Sequence, residues 1–291
     1  MLRSAALVTL LAAPLLFGQT DAVTQRLRTD YQKKTFLLRG FYQDTLLRFD
    51  SSGNIKHHAE AGSWTTAYIL VDIIERNSAR LEIRGTRSVQ VFHRRKHRFR
   101  EHRTQLPVVI EVDLDPASPL AEAAVRRSLD SIFIDTHQPL APLVPDAWRP
   151  LFDRMNPQGV VDRPEQLAKK QPCGPSPTPD EPCSVGNGVT APQPIVTQSP
   201  SFPEIARVAQ VDGTTELRLI VDSSGHPQRI HISSPLGCGL DDQAVETVRL
   251  WTFHPALRDG QPVPVQITAK VNFSLSRKAP LPSNRPPSVS W

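Results

Sequence analysis

The strictest constraint on the fold is the two-residue alternation over residues 214–233, TTELRLIVDSSGHPQRIHIS. Leu217, Leu219 and Val221 alternate with Glu216, Arg218 and Ile220, and Ile230 and Ile232 resume the pattern after Asp222-Ser223-Ser224-Gly225. Successive side chains of a strand point to opposite faces, so this period predicts two half-buried strands with a turn between them. The flanking residues extend the pattern. PSFPEIARVAQV (200–211) predicts a short helix after Pro203, and LDDQAVETVRLW (240–251) an amphipathic helix burying Leu240, Ala244, Val245 and Val248. After Arg258-Asp259-Gly260, PVPVQITAKVNFSL (262–275) predicts a long final strand. Its Val265, Ile267, Ala269, Val271 and Phe273 alternate with Gln266, Thr268 and Lys270. Helix, strand, strand, helix, strand is the order of a small α+β domain with a helical layer on an antiparallel sheet.

Those residues carry a family resemblance. Phe202-Pro203, Ala206, Gly213, Val221-Asp222, Gly225, Ser233-Ser234, Leu240-Asp241, Ala244, Trp251-x-Phe253-x-Pro255-Ala256, Gly260-x-Pro262-Val263 and Phe273 together resemble the C-terminal domain of TonB-family proteins over about residues 199–275. Phenylalanine stands at Phe202 where the family has tyrosine. The resemblance implies a periplasmic interaction domain that docks on outer-membrane receptors or transporters, whose short segment pairs as an added strand with the edge of its sheet. Main-chain hydrogen bonds then supply affinity and alternating pockets supply specificity. The stretch expected to take that strand is Val265, Gln266, Ile267, Thr268, Ala269, Lys270 and Val271. Core packing is the plainer role of Val265, Ile267 and Phe273 taken singly, and of Trp251 and Phe253.

The two ends of the chain pull apart. A basic start (residues 1–3) precedes the apolar run AALVTLLAAPLLF (5–17), which is shorter than a membrane span and broken by Pro14. This is the layout of a secretory signal peptide over residues 1–20, cleaved between Gly18 and Ala22. The expectation is a periplasmic or cell-envelope protein. If residues 1–20 are retained, the chain is instead anchored in the inner membrane as a TonB-like energy transducer for receptor-dependent transport. Residues 1–20 contain no histidine, a departure from the family pattern that argues against coupling to the ExbB–ExbD motor.

Between the ends, residues 21–152 predict a β-rich domain with a C-terminal helix. TLLRFDSSGNIKHH (45–58), AYILVDIIE (67–75), RLEIRG (80–85), SVQVFH (88–93) and PVVIEVDL (107–114) read as strands, with Gly62, Gly85 and Asn77-Ser78 as turns. Ser118-Pro119 starts a helix carrying Leu120, Ala124, Val125, Leu129 and Ile132 on one face. PLAPLVPDAWRPLF (139–152) is expected to pack along the strands. Residues 153–199 are Pro-rich and aperiodic, an extended spacer. Residues 277–291 read as a disordered tail. Cys173 and Cys183 sit in the spacer, where export permits a disulfide between them; two free thiols are the alternative.

Chemistry-bearing patterns are sparse. HRRKHRFREHR (93–103) holds Arg94, Arg95, Lys96, Arg98, Arg100 and Arg103 against Glu101, a net +5 equal to that of the whole chain. It reads as a solvated hairpin tip, or as a contact for an anionic surface such as lipid head groups or polysaccharide. Export argues against nucleic acid. His57, His58, His93, His97 and His102 offer no metal set at ligand spacing, no cofactor loop is present, and nothing resembles a nucleophile elbow. Cys238, between Gly237 and Gly239, reads as a half-buried loop residue. The expected class is a non-enzymatic interaction protein without cofactor or metal.

Overall fold

A computed structural model describes residues 14–77, 79–115, 121–134, 140–156, 160–161, 173–275 and 289–290, with side chains from residue 22 to residue 275. The first thirteen residues, the expected helix start at Ser118-Pro119, most of the spacer before Cys173 and most of the tail lie outside the described residues. Contacts divide the chain into two units. The first comprises residues 1–60, 69–87 and 105–135; the second comprises 61–68, 88–104 and 136–291. The expected boundary at residue 152 is therefore not the one the contacts draw.

The first unit holds α1 (Pro14–Tyr31), β1 (Thr35–Leu38), β2 (Leu46–Phe49), nearly all of β3 (Tyr68–Arg76), the parts of β4 (Arg80–His93) up to Arg87 and of β5 (Arg98–Asp113) from Gln105, α2 (Glu122–Ile132) and β6 (Phe133–Ile134). The strands pair in the order β2-β5-β4-β3-β1-β6. β2 runs parallel to β5, and β1 is antiparallel to β6. Two helices supply the rest of its core. α1 buries Val23 and Leu27, and α2 buries Val125, Leu129 and Ile132, the last three as the helical spacing in α2 predicts. Arg26 donates to Glu122, and Arg126 bonds both Glu122 and Asp30, which sets the helices side by side.

Two readings of this unit need correction. α1 was not expected, because its residues straddle the apolar leader and a stretch without strong periodicity. RLEIRG and SVQVFH are one strand, with Gly85 in its middle rather than at a turn. A Cβ on Gly85 would stand 2.4 Å from the carbonyl oxygen of Leu70, so the glycine marks close approach of β3. The Asn77 turn holds: its side-chain oxygen accepts from the amides of Ala79 and Arg80.

The second unit contains α3 (Arg149–Phe152), β7 (Cys183–Ser184), β8 (Gln193–Val196), α4 (Glu204–Val208), β9 (Gly213–Val221), β10 (Pro227–Ser234) and α5 (Leu240–Arg249). It continues with β11 (Thr252–His254), β12 (Ala256–Arg258), β13 (Gln261–Val263), β14 (Val265–Phe273) and β15 (Val289–Ser290). α4, β9, β10, α5 and β14 follow one another in the expected order, with three short strands, β11 to β13, between α5 and β14 that the alternation does not predict. β9 is the central strand, antiparallel to β10 on one side and to β14 on the other. The turn falls at Asp222, whose carboxylate accepts from the amides of Ser224 and His226. α5 lays Leu240, Ala244, Val245 and Val248 into the core beside Leu217, Leu219, Trp251 and Phe253.

The final strand begins later than expected. Residues 261–263 fold back on β12 across Asp259-Gly260, both at positive φ, and Pro264, without an N–H, separates β13 from β14. The spacer reading also changes from Cys173 onward. β7 pairs with β14, Thr190 exchanges bonds with Leu257, and β8 pairs with β11. Residues 173–198 are thus a strap laid on the small domain, held by main-chain bonds rather than by apolar periodicity.

Candidate docking edge

β14 is bonded to β9 along all nine residues, from Val265 opposite Val221 to Phe273 opposite Gly213. One of its two long edges is therefore spent. Val265, Ile267, Ala269, Val271 and Phe273 are buried, so four of the seven expected contact residues build the core. Gln266, Thr268 and Lys270 are half-buried and face away from it. Lys270 pairs with Glu216 of β9 at 3.7 Å.

The opposite edge of β14 carries two short pieces of the chain itself. Cys183 and Ser184 lie parallel against Val265 and Gln266, with the Cys183 amide donating to Pro264 at 2.9 Å. Val289 and Ser290 lie antiparallel against Ala269 and Thr268. Among the described residues no strand covers the outer side of Lys270–Phe273. Among the described residues the edge is partly filled, in two patches of two residues.

The strap that fills its first patch is fastened in several ways. Cys173 is disulfide-bonded to Cys183, with Cα atoms 4.4 Å apart. Arg258 donates to the carbonyl of Gly174 at 2.6 Å, and Arg229 pairs with Asp180. Trp251, 1% exposed, donates through Nε1 to the Gln198 carbonyl. Trp251 and Phe253 are core residues, and so are not contact residues. At the far end, Phe202 packs on Phe273 with ring centres 6.0 Å apart, beneath the Arg207 guanidinium. Pro203 stands at the start of α4.

Behind the sheet, the start of α5 holds a feature that sequence reading missed. Asp241 is fully buried, and its carboxylate accepts three bonds: from Thr215 Oγ1 at 2.7 Å and from the Leu236 and Gly237 amides at 2.9 and 2.6 Å. Burial pushes its pKa up to about 7, against the pull of those donors. The signal in the sequence was Leu240-Asp241 within the family pattern, which gives no indication of burial. Beside it, Asp242 accepts from Trp148 Nε1 at 2.8 Å.

The loop ahead of α5 is clasped by residues 88–93 of β4. The Phe92 amide donates to Leu236, and the Cys238 amide to Gln90. Cys238 is fully buried rather than half-buried; burial first, and the neighbouring Asp241 second, push its thiol up to about 12. It is a protonated packing residue. Among the described residues no group of three or more His, Cys, Asp or Glu is gathered for a metal, and no helix is long and apolar enough to cross a membrane.

Residues 198–275 match the family described as Gram-negative bacterial TonB protein C-terminal. Protein TonB of Vibrio cholerae serotype O1 is 30% identical over 111 residues, covering 35% of this chain and 45% of that protein. The chain thus spans less than half the length of that relative. A solution NMR structure of the Pseudomonas aeruginosa TonB C-terminal domain aligns with 33% of this chain and 96% of its own, at 19% identity and a TM-score of 0.26.

Proposed function

With residues 198–275 a TonB-family C-terminal domain, we propose that the protein is a cell-envelope docking module that receives an extended segment of an envelope partner as an added strand on β14. The observation that carries this is the pairing of Val289-Ser290 with Thr268-Ala269. The edge already accepts an antiparallel strand, and the one it holds is two residues long. A partner segment reaching from Thr268 to Phe273 would gain more main-chain bonds than the tail gives up, each worth about 1 kcal/mol net. Thr268 and Lys270 then present the side-chain pockets, while Ala269, Val271 and Phe273 hold the strand from behind. An outer-membrane receptor or transporter is the partner class the family implies.

The protein works in this reading as a passive binder, exported and released by cleavage within residues 18–22. Such a cut falls inside α1 but spares Val23 and Leu27, the residues that bury it. Mass spectrometry of the mature N-terminus tests this half: a start near residues 19–22 is expected, and an intact Met1 or Leu2 in the membrane fraction overturns it. For the binding half, photo-crosslinking residues are placed at Gln266, Thr268 and Lys270, with Gln228 on β10 as the comparison. Adducts with one envelope protein at Thr268 and Lys270, increased by deleting residues 289–291, are expected, and none at Gln266 while β7 covers it. Adducts at Gln228 alone overturn strand addition at β14.

A further inference from the structure

The arginine-rich hairpin tip belongs to neither the sheet edge nor the strap. It turns through Arg94–Lys96 and closes on His97, which sits in the left-handed region at φ 47°. Arg94, Arg95, Lys96, Arg98, Arg100 and Arg103 are all exposed. Among the described residues none of the six lies in an ion pair, whereas other surface cations do: Arg48 and Arg80 share Glu111, Arg84 meets Glu75, Arg126 meets Asp30, and Arg249 meets Glu246. Among the described residues, the Arg94 side chain bonds the Thr214 carbonyl.

The scaffold beneath these charges is firm. Phe99 packs on Phe92 and Trp64 with ring centres 5.0 Å away, and Trp64 packs on Trp148 at 5.4 Å. Main-chain bonds fix the tip from two sides, Phe92 to Leu236 and Val161 to His97. Six like charges held close on a braced turn repel one another, and among the described residues no carboxylate pairs with them. A partner that does so must present closely spaced anions over a broad face.

We propose that residues 94–103 are an adhesion point for a phosphate-bearing lipid surface. Guanidinium groups match phosphate oxygens in paired hydrogen bonds. A convex tip can lie against a flat headgroup layer, and four to eight clustered cations are the usual sequence mark of such binding. Phe92 and Phe99 are engaged in the ring cluster and offer no stacking platform for unpaired bases, which disfavours single-stranded nucleic acid. Export to the envelope, where such surfaces lie, points the same way. The adhesion point lies within the same compact unit as β14.

The test uses the full chain and co-sedimentation with vesicles of mixed phosphatidylethanolamine and phosphatidylglycerol, against vesicles of phosphatidylcholine alone. Wild type is expected to sediment with the anionic vesicles only, and to be released by salt. Each cation near such a surface contributes about fivefold, so Arg95→Gln, Lys96→Gln and Arg98→Gln together should weaken binding about 100-fold. A second triple variant, Arg84→Gln, Arg207→Gln and Arg249→Gln, removes the same net charge elsewhere and should stay within about twofold of wild type. Unchanged tryptophan fluorescence and melting of both variants confirm folding. No wild-type binding to anionic vesicles, or equal losses in the two triple variants, would overturn the proposal. Tighter binding to duplex DNA than to vesicles would overturn it in favour of nucleic acid.

Discussion

Replacing Asp241 with asparagine tests the balance between burial and hydrogen bonding at the heart of the small domain. The carboxylate has no solvent exposure and receives three donors. Its folded pKa of about 7, against 3.8 for the free side chain, means that the folded state holds the proton more tightly than the unfolded chain. The stability from that proton is fully present below pH ~3.8 and is lost as pH rises through about 7. The shift of about three units corresponds to about 4 kcal/mol, of which about 3 kcal/mol accrues as pH falls from 8 to 5. The substituted asparagine cannot take up a proton there, and it turns an amide donor toward one of the three donors, a pH-independent cost of about 2 kcal/mol. Urea unfolding followed by the fluorescence of Trp64, Trp148 and Trp251 reports on the unit concerned. Subtracting the variant from wild type cancels the other carboxylates. The difference should be smallest at pH 8 and widen by about 3 kcal/mol by pH 5. A difference that stays flat across that range would refute the reasoning: the three donors would then outweigh burial and keep the group ionised throughout.

Gly225→Ala should cost about 3 kcal/mol or more, because φ is +86° there and a Cβ would stand 1.9 Å from the Phe253 carbonyl oxygen; a lowered melting temperature checks it. Reducing the Cys173–Cys183 bridge, ten residues apart, should cost about 2–3 kcal/mol in urea and speed amide exchange at Gln266, where β7 lies. Trp148→Phe keeps most of the ring cluster but leaves Asp242 without its indole donor, and should lower stability by about 2 kcal/mol. Deleting residues 289–291 should speed amide exchange at Thr268 and Ala269 while leaving the melting temperature within about a degree, since two residues of edge pairing carry little of the fold.

What could be read from the sequence followed from what leaves a periodic trace. β9, β10, α5 and β14 each bury one face, and burial of one face writes a period of two or of about 3.6 into the residues. Leu217, Val245 and Ile267 could be assigned to the core on that ground alone. The strap could not. Cys183, Gln193 and Thr190 pair through their main chains, which leave no hydrophobic period, and the prolines around them suggested solvent instead. Gly85 misled for a related reason: close approach of a neighbouring strand and a turn both select glycine, and only the neighbour distinguishes them. Asp241 was hidden because an acid in the first turn of a helix is the ordinary partner of the helix dipole, exposed or not. Its burial depends on Leu236 and Gly237 folding over it.

The same distinction bears on the docking edge. A long flat edge strand with an apolar inner face invites unwanted pairing, and proteins blunt such edges with short pieces of chain. β7 and β15 do this here in different ways. β7 is locked by a disulfide and by Arg258, so Val265 and Gln266 are closed permanently for as long as the bridge stands. Among the described residues β15 joins the edge by two, a pairing that a longer segment can displace. On the proposed strand addition, the docking stretch would run from Thr268 to Phe273, narrower at its start than the alternation suggests and extended at its end. Shifting crosslinkers one strand position at a time from Val265 to Phe273 should show adducts beginning at Thr268 in the oxidised protein and at Gln266 after reduction. Adducts that begin at the same residue in both states would mean that the strap does not set the limit.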